Sequence, residues 1–369
     1  MTANNLFTPL ELGAILTPNR IYMAPLTRCR AEPGNIPNDL NAEYYAQRAS
    51  AGLIISEATS VSPRGFGYPN TPGIFSEAQI KGWKKVTQAV HAKGGRILCQ
   101  LWNVGRVSHP FFQLNGELPV APSAIRPKIQ VFDGTGMVDA VTPRALDTHE
   151  MGNVIAEYIH GAICAQAAGF DGVEIHNANG YLLDQFLRDG TNHRGDRYGG
   201  SLQNRARLTL EVTEAVASVW GPERVGIRFS PGGVFNDMTD SNPLETFGHV
   251  LRELSPMRLA YTHITQITAQ DIAHGAREGV GPKELRTYYK GNVVSAGGFT
   301  LESGNRALAE GWADAIAFGV PFIANPDLPE RFLRKAPLNQ AKEDLFYSQS
   351  GPNPLGYTDY PTLEVKAAY

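Results

Sequence analysis

The sequence predicts an α/β protein: a (β/α)8 TIM barrel with a capping insertion after the third strand. Three observations carry that expectation. Short β-branched runs recur eight times, segments of helical spacing lie between them, and the glycine fingerprint of an open doubly wound sheet is missing. A chain of 369 residues could hold two domains, but α/β barrels reach this length as one unit, and no composition break marks a linker. The expectation is one barrel domain over residues 1–369, with a cap at 103–147.

The strand candidates are Ile21–Ala24, Leu53–Glu57, Ile97–Leu101, Val173–His176, Val225–Phe229, Tyr261–Ile264, Val293–Ala296 and Ala315–Phe318. Apolar residues at helical spacing fill Ala42–Ala51, Gln79–Ala92, Ile155–Ala168, Arg207–Val219, Leu244–Leu254, Leu301–Ala309 and Leu328–Lys335. The long interval after the third strand is rich in Pro, Gly and Ser, which places it over the barrel mouth. Neither G-x-G-x-x-G nor G-x-x-x-x-G-K-[ST] occurs, which lowers the Rossmann and P-loop alternatives.

Composition excludes several partners. Hydrophobic residues at 42% and charged residues at 19% supply a large core. The 33 Lys+Arg nearly balance 36 Asp+Glu, for a formal charge of -3, which argues against nucleic acid. No apolar run approaches the ~20 residues that cross a bilayer. Neither Met1–Leu16 nor the terminal Ala367–Tyr369 reads as a targeting signal, so the reading is cytoplasmic, without a membrane partner. Cys29, Cys99 and Cys164 are scattered, against a disulfide framework or thiolate cage. Cys29, between Arg28 and Arg30, reads first as a packed thiol.

Barrel chemistry sits at the C-terminal strand ends. Here these carry Pro25, Leu26 and Thr27; Glu57 and Ala58; Gln100 and Trp102; His176, Asn179 and Tyr181; Arg228 and Ser230; His263; Gly297 and Gly298; and Gly319. The histidines are dispersed, so no metal is expected, and no strand-end lysine offers a Schiff base. Glu57 and Glu174 are the carboxylates a glycosidase would need, but a barrel glutamate more often pairs with an arginine such as Arg228. Gly297, Gly298 and Gly319 either make turns or bring backbone N–H groups to a phosphate. His176 and Asn179 are either a structural pair or two donors to one oxygen, with Tyr181 a possible proton donor.

At these residues the chain resembles the Old Yellow Enzyme family of FMN-dependent ene-reductases. The resemblance rests on Met23-Ala24-Pro25-Leu26-Thr27-Arg28, Glu43 to Ala49, Ser56-Glu57-Ala58-Thr59, Gln100-Leu101-Trp102 and His176-Asn177-Ala178-Asn179-Gly180-Tyr181-Leu182-Leu183. It continues through Arg197 to Ser201 with Asn204-Arg205, Phe318-Gly319, Asn325 to Leu328 and Gly356 to Pro361. It implies a reductase of activated alkenes that takes hydride from NADPH or NADH in a ping-pong cycle. Arg228 would stabilise the reduced flavin, Gln100 would bond its pyrimidine edge, and Thr27 its C4 carbonyl. Pro25, Leu26 and Ala58 would pack on the ring, and Gly297, Gly298, Gly319 and Val320 would offer N–H groups to the phosphate. His176 and Asn179 would hold the substrate oxygen, Tyr181 would protonate the α-carbon, and Tyr68, Trp102 and Tyr357 would wall the pocket.

Two positions depart from the family pattern. Val320 stands where relatives carry a phosphate-binding arginine, which motivates an alternative: a barrel with weakened FMN affinity and a mainly ligand-binding or regulatory role. Asn103 follows the third-strand tryptophan, where many relatives have histidine. A third reading, a phosphate-binding barrel acting on sugar phosphates, leaves His176, Asn179 and Tyr181 without a task.

Overall fold

The computed structural model describes residues 5–363, apart from 277 and 349 and the side chain of Gln270. Ala367–Tyr369 and the first four residues of Met1–Leu16 lie outside that range. Eight parallel strands close a barrel: β1 (Ile21–Met23), β2 (Leu53–Ser60), β3 (Ile97–Trp102), β4 (Gly172–His176), β5 (Val225–Phe229), β6 (Tyr261–Thr265), β7 (Val293–Ala296) and β8 (Ala315–Phe318). β8 pairs back onto β1 through Ile316↔Ile21 and Phe318↔Met23, so no edge remains. β2 slips register against β3 between Ile55 and Ala58. Such a bulge re-aims side chains, and here it lies beside Glu57 and Ala58 at the mouth.

The outer helices are α1 (Asp39–Gln47), α2 (Glu77–Ala92), α3 (Met151–Ala167), α4 (Leu202–Trp220), α5 (Pro243–Leu254), α6 (Pro282–Leu285), α7 (Leu301–Ala309) and α8 (Leu328–Arg334). Several begin earlier than apolar spacing alone indicates, because their starts are set by caps: Asn38 for α1, Ser76 with Gln79 for α2, Ser201 for α4 and Asn242 for α5. α2 then buries Trp83, Val86 and Val90 on one stripe against the strands. Each fully buried aliphatic or aromatic side chain contributes roughly 1.5–3 kcal/mol. Between β6 and β7 no helix was expected, and α6 is a single turn started by Pro282.

An antiparallel hairpin, Leu10–Leu12 with Ile15–Thr17, closes the bottom of the barrel. Its Leu12 and Ile15 join Tyr22, Leu53, Ile55, Leu98, Tyr261, Val294 and five small residues, Ala24, Ala260, Ala296, Ala315 and Ala317, in one buried cluster. Large rings and small residues alternate there by necessity: a Cβ at Gly226 would lie 2.3 Å from the Tyr261 ring. Over residues 103–147 the chain forms a parallel pair, Val120–Ala121 with Arg144–Ala145, and a hairpin, Gln130–Phe132 with Met137–Asp139. Ile129 of this segment packs onto the cluster of Ala58, Trp102 and Tyr181 at the strand ends.

Candidate active site

β4 ends at His176, and the chain then turns sharply through Asn179 (φ 57°) and Gly180 (φ 75°). Asn and Gly tolerate this left-handed backbone better than other residues. The Ala178 N–H donates to His176 Nδ1 at 3.3 Å, which leaves the imidazole proton on Nε2. Burial, reinforced by Arg228 and His263, holds His176 well below the ordinary imidazole range, so it is a neutral donor. The Asn179 N–H donates to Ser230 Oγ at 2.7 Å, and its carbonyl accepts from Asn236 Nδ2 at 2.8 Å. Its half-buried carboxamide has no hydrogen bond among the described residues.

Tyr181 follows at the start of a short helix, Leu182–Leu187. Its ring meets Trp102 and His176 edge-on, with centroids 5.0 Å away in both cases. Its hydroxyl lies 3.1 Å from that of Tyr68, which stacks on Trp102 at 5.7 Å. Burial, together with Tyr68, raises the Tyr181 pKa well above 10, and burial raises Tyr68 to about 12. Both phenols therefore keep their protons. Ala58, Trp102 and Tyr181 are buried together, with Tyr68 partly buried against them.

The other strand ends carry polar atoms without protein partners. Arg228 Nε is buried and unpaired among the described residues, and the Thr27 hydroxyl makes no hydrogen bond there. Gln100 donates Nε2 to Glu174 at 2.7 Å, leaving Oε1 free to accept. Pro25 is buried and Leu26 partly buried beside Gly319, where a Cβ would meet only Leu26 Cδ2, at 3.4 Å. Gly297 (φ 109°) and Gly298 (φ 67°) turn the chain after β7; the Gly297 carbonyl accepts from the Gln266 side chain. Gly319 leads into the short helix Val320–Ala324, and Val320 is 47% exposed.

These features fit FMN. Arg228 Nε, the Thr27 hydroxyl and Gln100 Oε1 stand without hydrogen-bond partners among the described residues, the donor and acceptor types that the carbonyls and ring nitrogens of an isoalloxazine require. Gly298 and Gly319 have room beside them for a phosphate to reach backbone N–H groups, while Gly297 makes the turn against Gln266. Val320 adds no charge at that end.

The two barrel glutamates have separate structural tasks. Glu174 accepts from Gln100, from the Tyr261 hydroxyl and from His263 Nδ1, both of the latter at 2.9 Å. Burial alone would raise its pKa, but His263, Arg228 and Gln100 outweigh it and hold the carboxyl below its usual range. The expected Glu174–Arg228 ion pair is thus replaced by direct bonds to three other groups, because β6 brings Tyr261 and His263 to the carboxylate first. Glu57 accepts from the Arg28 N–H and the Tyr45 hydroxyl, both at 3.3 Å. Burial raises it to about 7. Cys29 is buried, with its thiol pushed up to about 12 by burial and by Glu57.

Tyr357 requires a correction, because it does not wall this pocket. It is fully buried, stacked on Tyr44 at 3.9 Å, with the Arg30 guanidinium 4.7 Å from its ring centre and its hydroxyl bonded to Asn41. Arg28 and Arg30 bond the carbonyls of Leu345, Phe346, Asn353, Leu355 and Gly356, and so clamp the segment that carries Tyr347. Tyr347 is 62% exposed, yet close enough for its phenol to act on Tyr68 and Tyr181. Asn236 is a further residue of this site: its side chain donates to the Asn179 carbonyl. No sequence spacing marks either residue.

Among the described residues no group of His, Cys, Asp and Glu could hold a metal, and no helix is long and apolar enough to cross a membrane. A cleft of about 760 Å³, lined by Arg252, Arg258, Tyr288 and Lys290, lies at the opposite end of the barrel, by the starts of β6 and β7. In this fold that end serves stability.

Comparison with known proteins follows the same lines. The family model described as NADH:flavin oxidoreductase / NADH oxidase matches residues 5–339. A flavin oxidoreductase of Emericella nidulans is 46% identical over 379 aligned positions, covering 96% of this chain and 97% of the relative. Morphinone reductase, solved in complex with tetrahydroNAD, superposes with a TM-score of 0.92 at 49% identity over 98% of each chain. The old yellow enzyme homologue from Zymomonas mobilis gives a TM-score of 0.92 at 44% identity, over 97% of this chain and 100% of that one.

Proposed function

Since the chain belongs to the NADH:flavin oxidoreductase / NADH oxidase family, the Old Yellow Enzyme family, we propose that it reduces the C=C bond of α,β-unsaturated carbonyls and related activated alkenes by a ping-pong mechanism. It is an FMN-dependent oxidoreductase with a nicotinamide as reductant. The observation that carries the proposal is the turn after β4, where a neutral His176, an unpartnered Asn179 carboxamide and a protonated Tyr181 occur within six residues.

When bound, FMN supplies hydride to the β-carbon of the alkene. The residues do the rest. His176 Nε2–H and the Asn179 amide donate to the substrate oxygen and draw electron density from the double bond. Tyr181 gives its proton to the α-carbon; its high pKa suits a strongly basic, enolate-like acceptor. Tyr68, Trp102 and Tyr347 wall the substrate space. Arg228 offsets charge at the flavin pyrimidine, Gln100 Oε1 and the Thr27 hydroxyl orient that ring, and Pro25, Leu26 and Ala58 pack against it. Backbone N–H groups at Gly297, Gly298, Gly319 and Val320 hold the phosphate. The nicotinamide uses the same space before the alkene enters.

Stopped-flow measurement of the two halves tests this reading. Tyr181→Phe should slow flavin reoxidation by an enone and leave reduction by NADPH or NADH nearly unchanged. Equal slowing of both halves contradicts the assignment. Val320 favours a second reading, a loosely held FMN and a mainly ligand-binding role. An FMN dissociation constant in the range of arginine-bearing relatives would dismiss it.

A further inference from the structure

We propose that Glu174, one layer of side chains below the mouth of the barrel, is a positioning residue for the flavin: it turns the Gln100 carboxamide so that an acceptor and a donor face the cofactor, and its negative charge tempers the field of Arg228. The proposal rests on the FMN site described above. Gln100 on β3, Glu174 on β4, Gly226 on β5 and Tyr261 on β6 form one lateral row, each the register partner of the next. Gly226 has no side chain, and the Tyr261 ring fills the room this leaves, where a Cβ would stand 2.3 Å from it. The Tyr261 hydroxyl thereby crosses β5 and reaches Glu174 Oε2 at 2.9 Å. His263 Nδ1 reaches the same oxygen at 2.9 Å, and Gln100 Nε2 takes Oε1 at 2.7 Å. Gln100, Glu174, Tyr261 and His263 are all buried.

Donor and acceptor roles fix what this row presents above it. A carboxylate only accepts, so all three neighbours must donate. Burial opposes the charge of Glu174, but His263, Arg228 and Gln100 outweigh burial and keep it ionised. With one Nε2 hydrogen committed to Glu174, the planar Gln100 amide has Oε1 and its second N–H left, side by side. An acceptor beside a donor complements an imide N–H beside a carbonyl, which is the pattern of the isoalloxazine pyrimidine edge. A glutamine without this tether is free to turn over and exchange the two positions.

The next row on the same face carries His176, Arg228 and His263 as register partners. Arg228 Nε is buried without a partner among the described residues. Its cation favours the reduced flavin, because reduction adds negative charge at the pyrimidine. Glu174 bonds three other groups instead of this guanidinium. It therefore weakens the field of the cation without occupying its N–H groups.

Glu174→Gln keeps the shape and removes the charge. Tyr261 and His263 hold its oxygen on their side, which turns its amide N–H groups toward Gln100 and forces that carboxamide over. FMN affinity is read from the fluorescence of flavin released when the loaded protein is diluted, and the midpoint potential by titration against a reference dye. The expected result is FMN held about tenfold more weakly in Glu174→Gln, with the double variant Glu174→Gln/Gln100→Ala no weaker than Gln100→Ala alone. The preference for reduced over oxidised FMN should rise about tenfold, a positive shift of about 30 mV. Glu174→Asp separates the two effects: its shorter carboxylate, held by Tyr261 and His263, loses Gln100 but keeps the charge, so FMN is weakened while the potential stays near that of the parent. Wild-type affinity in Glu174→Gln, losses that multiply with Gln100→Ala, or an unmoved potential in Glu174→Gln each overturn the inference while the FMN reading stands. If Glu174→Gln does not fold, Glu174→Asp carries the test, and wild-type affinity in it overturns the proposal. A parent protein that holds no FMN overturns the cofactor reading and this inference with it.

Discussion

The turn after β4 and the turns after β7 and β8 stand at the same end of the barrel but are built in opposite ways. Around His176, Asn179 and Tyr181 side chains hold the backbone at the tip of the turn: Ser230 and Asn236 bond Asn179, Asp184 and Gln185 bond Gly180, and the buried Asp184–Arg188 pair secures it from below. Around Gly298 and Gly319 the space is open, while Gly297 turns tightly against Gln266, whose carbonyl lies 2.7 Å from where a Cβ would stand. A Cβ at Gly298 would meet only Thr268 Cγ2 at 3.6 Å, and Val320 contributes no charge. Proton transfer and carbonyl polarisation need donors fixed to a few tenths of an ångström, and rigid side-chain networks supply that. A phosphate needs converging backbone N–H groups, which glycine turns supply.

The contrast can be broken from either side. Tyr181→Phe should have the largest effect, slowing alkene-dependent reoxidation ~10²–10⁴-fold, the usual contribution of a general acid; single-turnover kinetics reads it directly. Gly180→Ala attacks the tight turn itself. Its left-handed φ and its clashes with Met238, Asn236 and the Phe235 carbonyl should cost about 3 kcal/mol, seen as a lowered urea midpoint. Glu57 lies behind the pocket wall, with its pKa raised from 4.5 to about 7 by burial. Between those values the folded state keeps a proton that the unfolded state has lost, so stability should fall as pH rises from about 4.5 through 7, by up to ~3 kcal/mol. Glu57→Gln should flatten that slope between pH 5 and pH 8; an unchanged slope would assign the dependence to other groups. On the open side, Val320→Arg should tighten FMN about tenfold, measured by quenching of flavin fluorescence, and more at low salt than at high.

The parts legible in the sequence were those fixed by local pattern. All eight barrel strands coincide with β-branched runs, since a parallel strand buried on both faces is mostly apolar, with polar residues such as Glu174 and His263 bonded to one another. Helix starts were less visible, because Asn38 or Ser201 set them by bonding backbone N–H groups ahead of the first apolar residue. His176, Asn179 and Tyr181 lie on one short turn, so their grouping could be read directly. Tyr357 and Tyr347 could not be told apart, because their placement depends on Arg28 and Arg30 bonding carbonyls more than 300 positions along the chain. Asn236 was invisible for the same reason: its bond to the Asn179 carbonyl forms only when β4 and β5 lie side by side and their loops meet.

The central claim is that this site takes hydride from a nicotinamide and passes it to an activated alkene. The most direct test is an anaerobic visible spectrum of the purified protein during addition of NADPH, then of 2-cyclohexenone. The account predicts a yellow flavin band that bleaches with the first addition and returns with the second. A band that bleaches and stays bleached after the enone, or a protein that remains colourless after FMN is added, would contradict it.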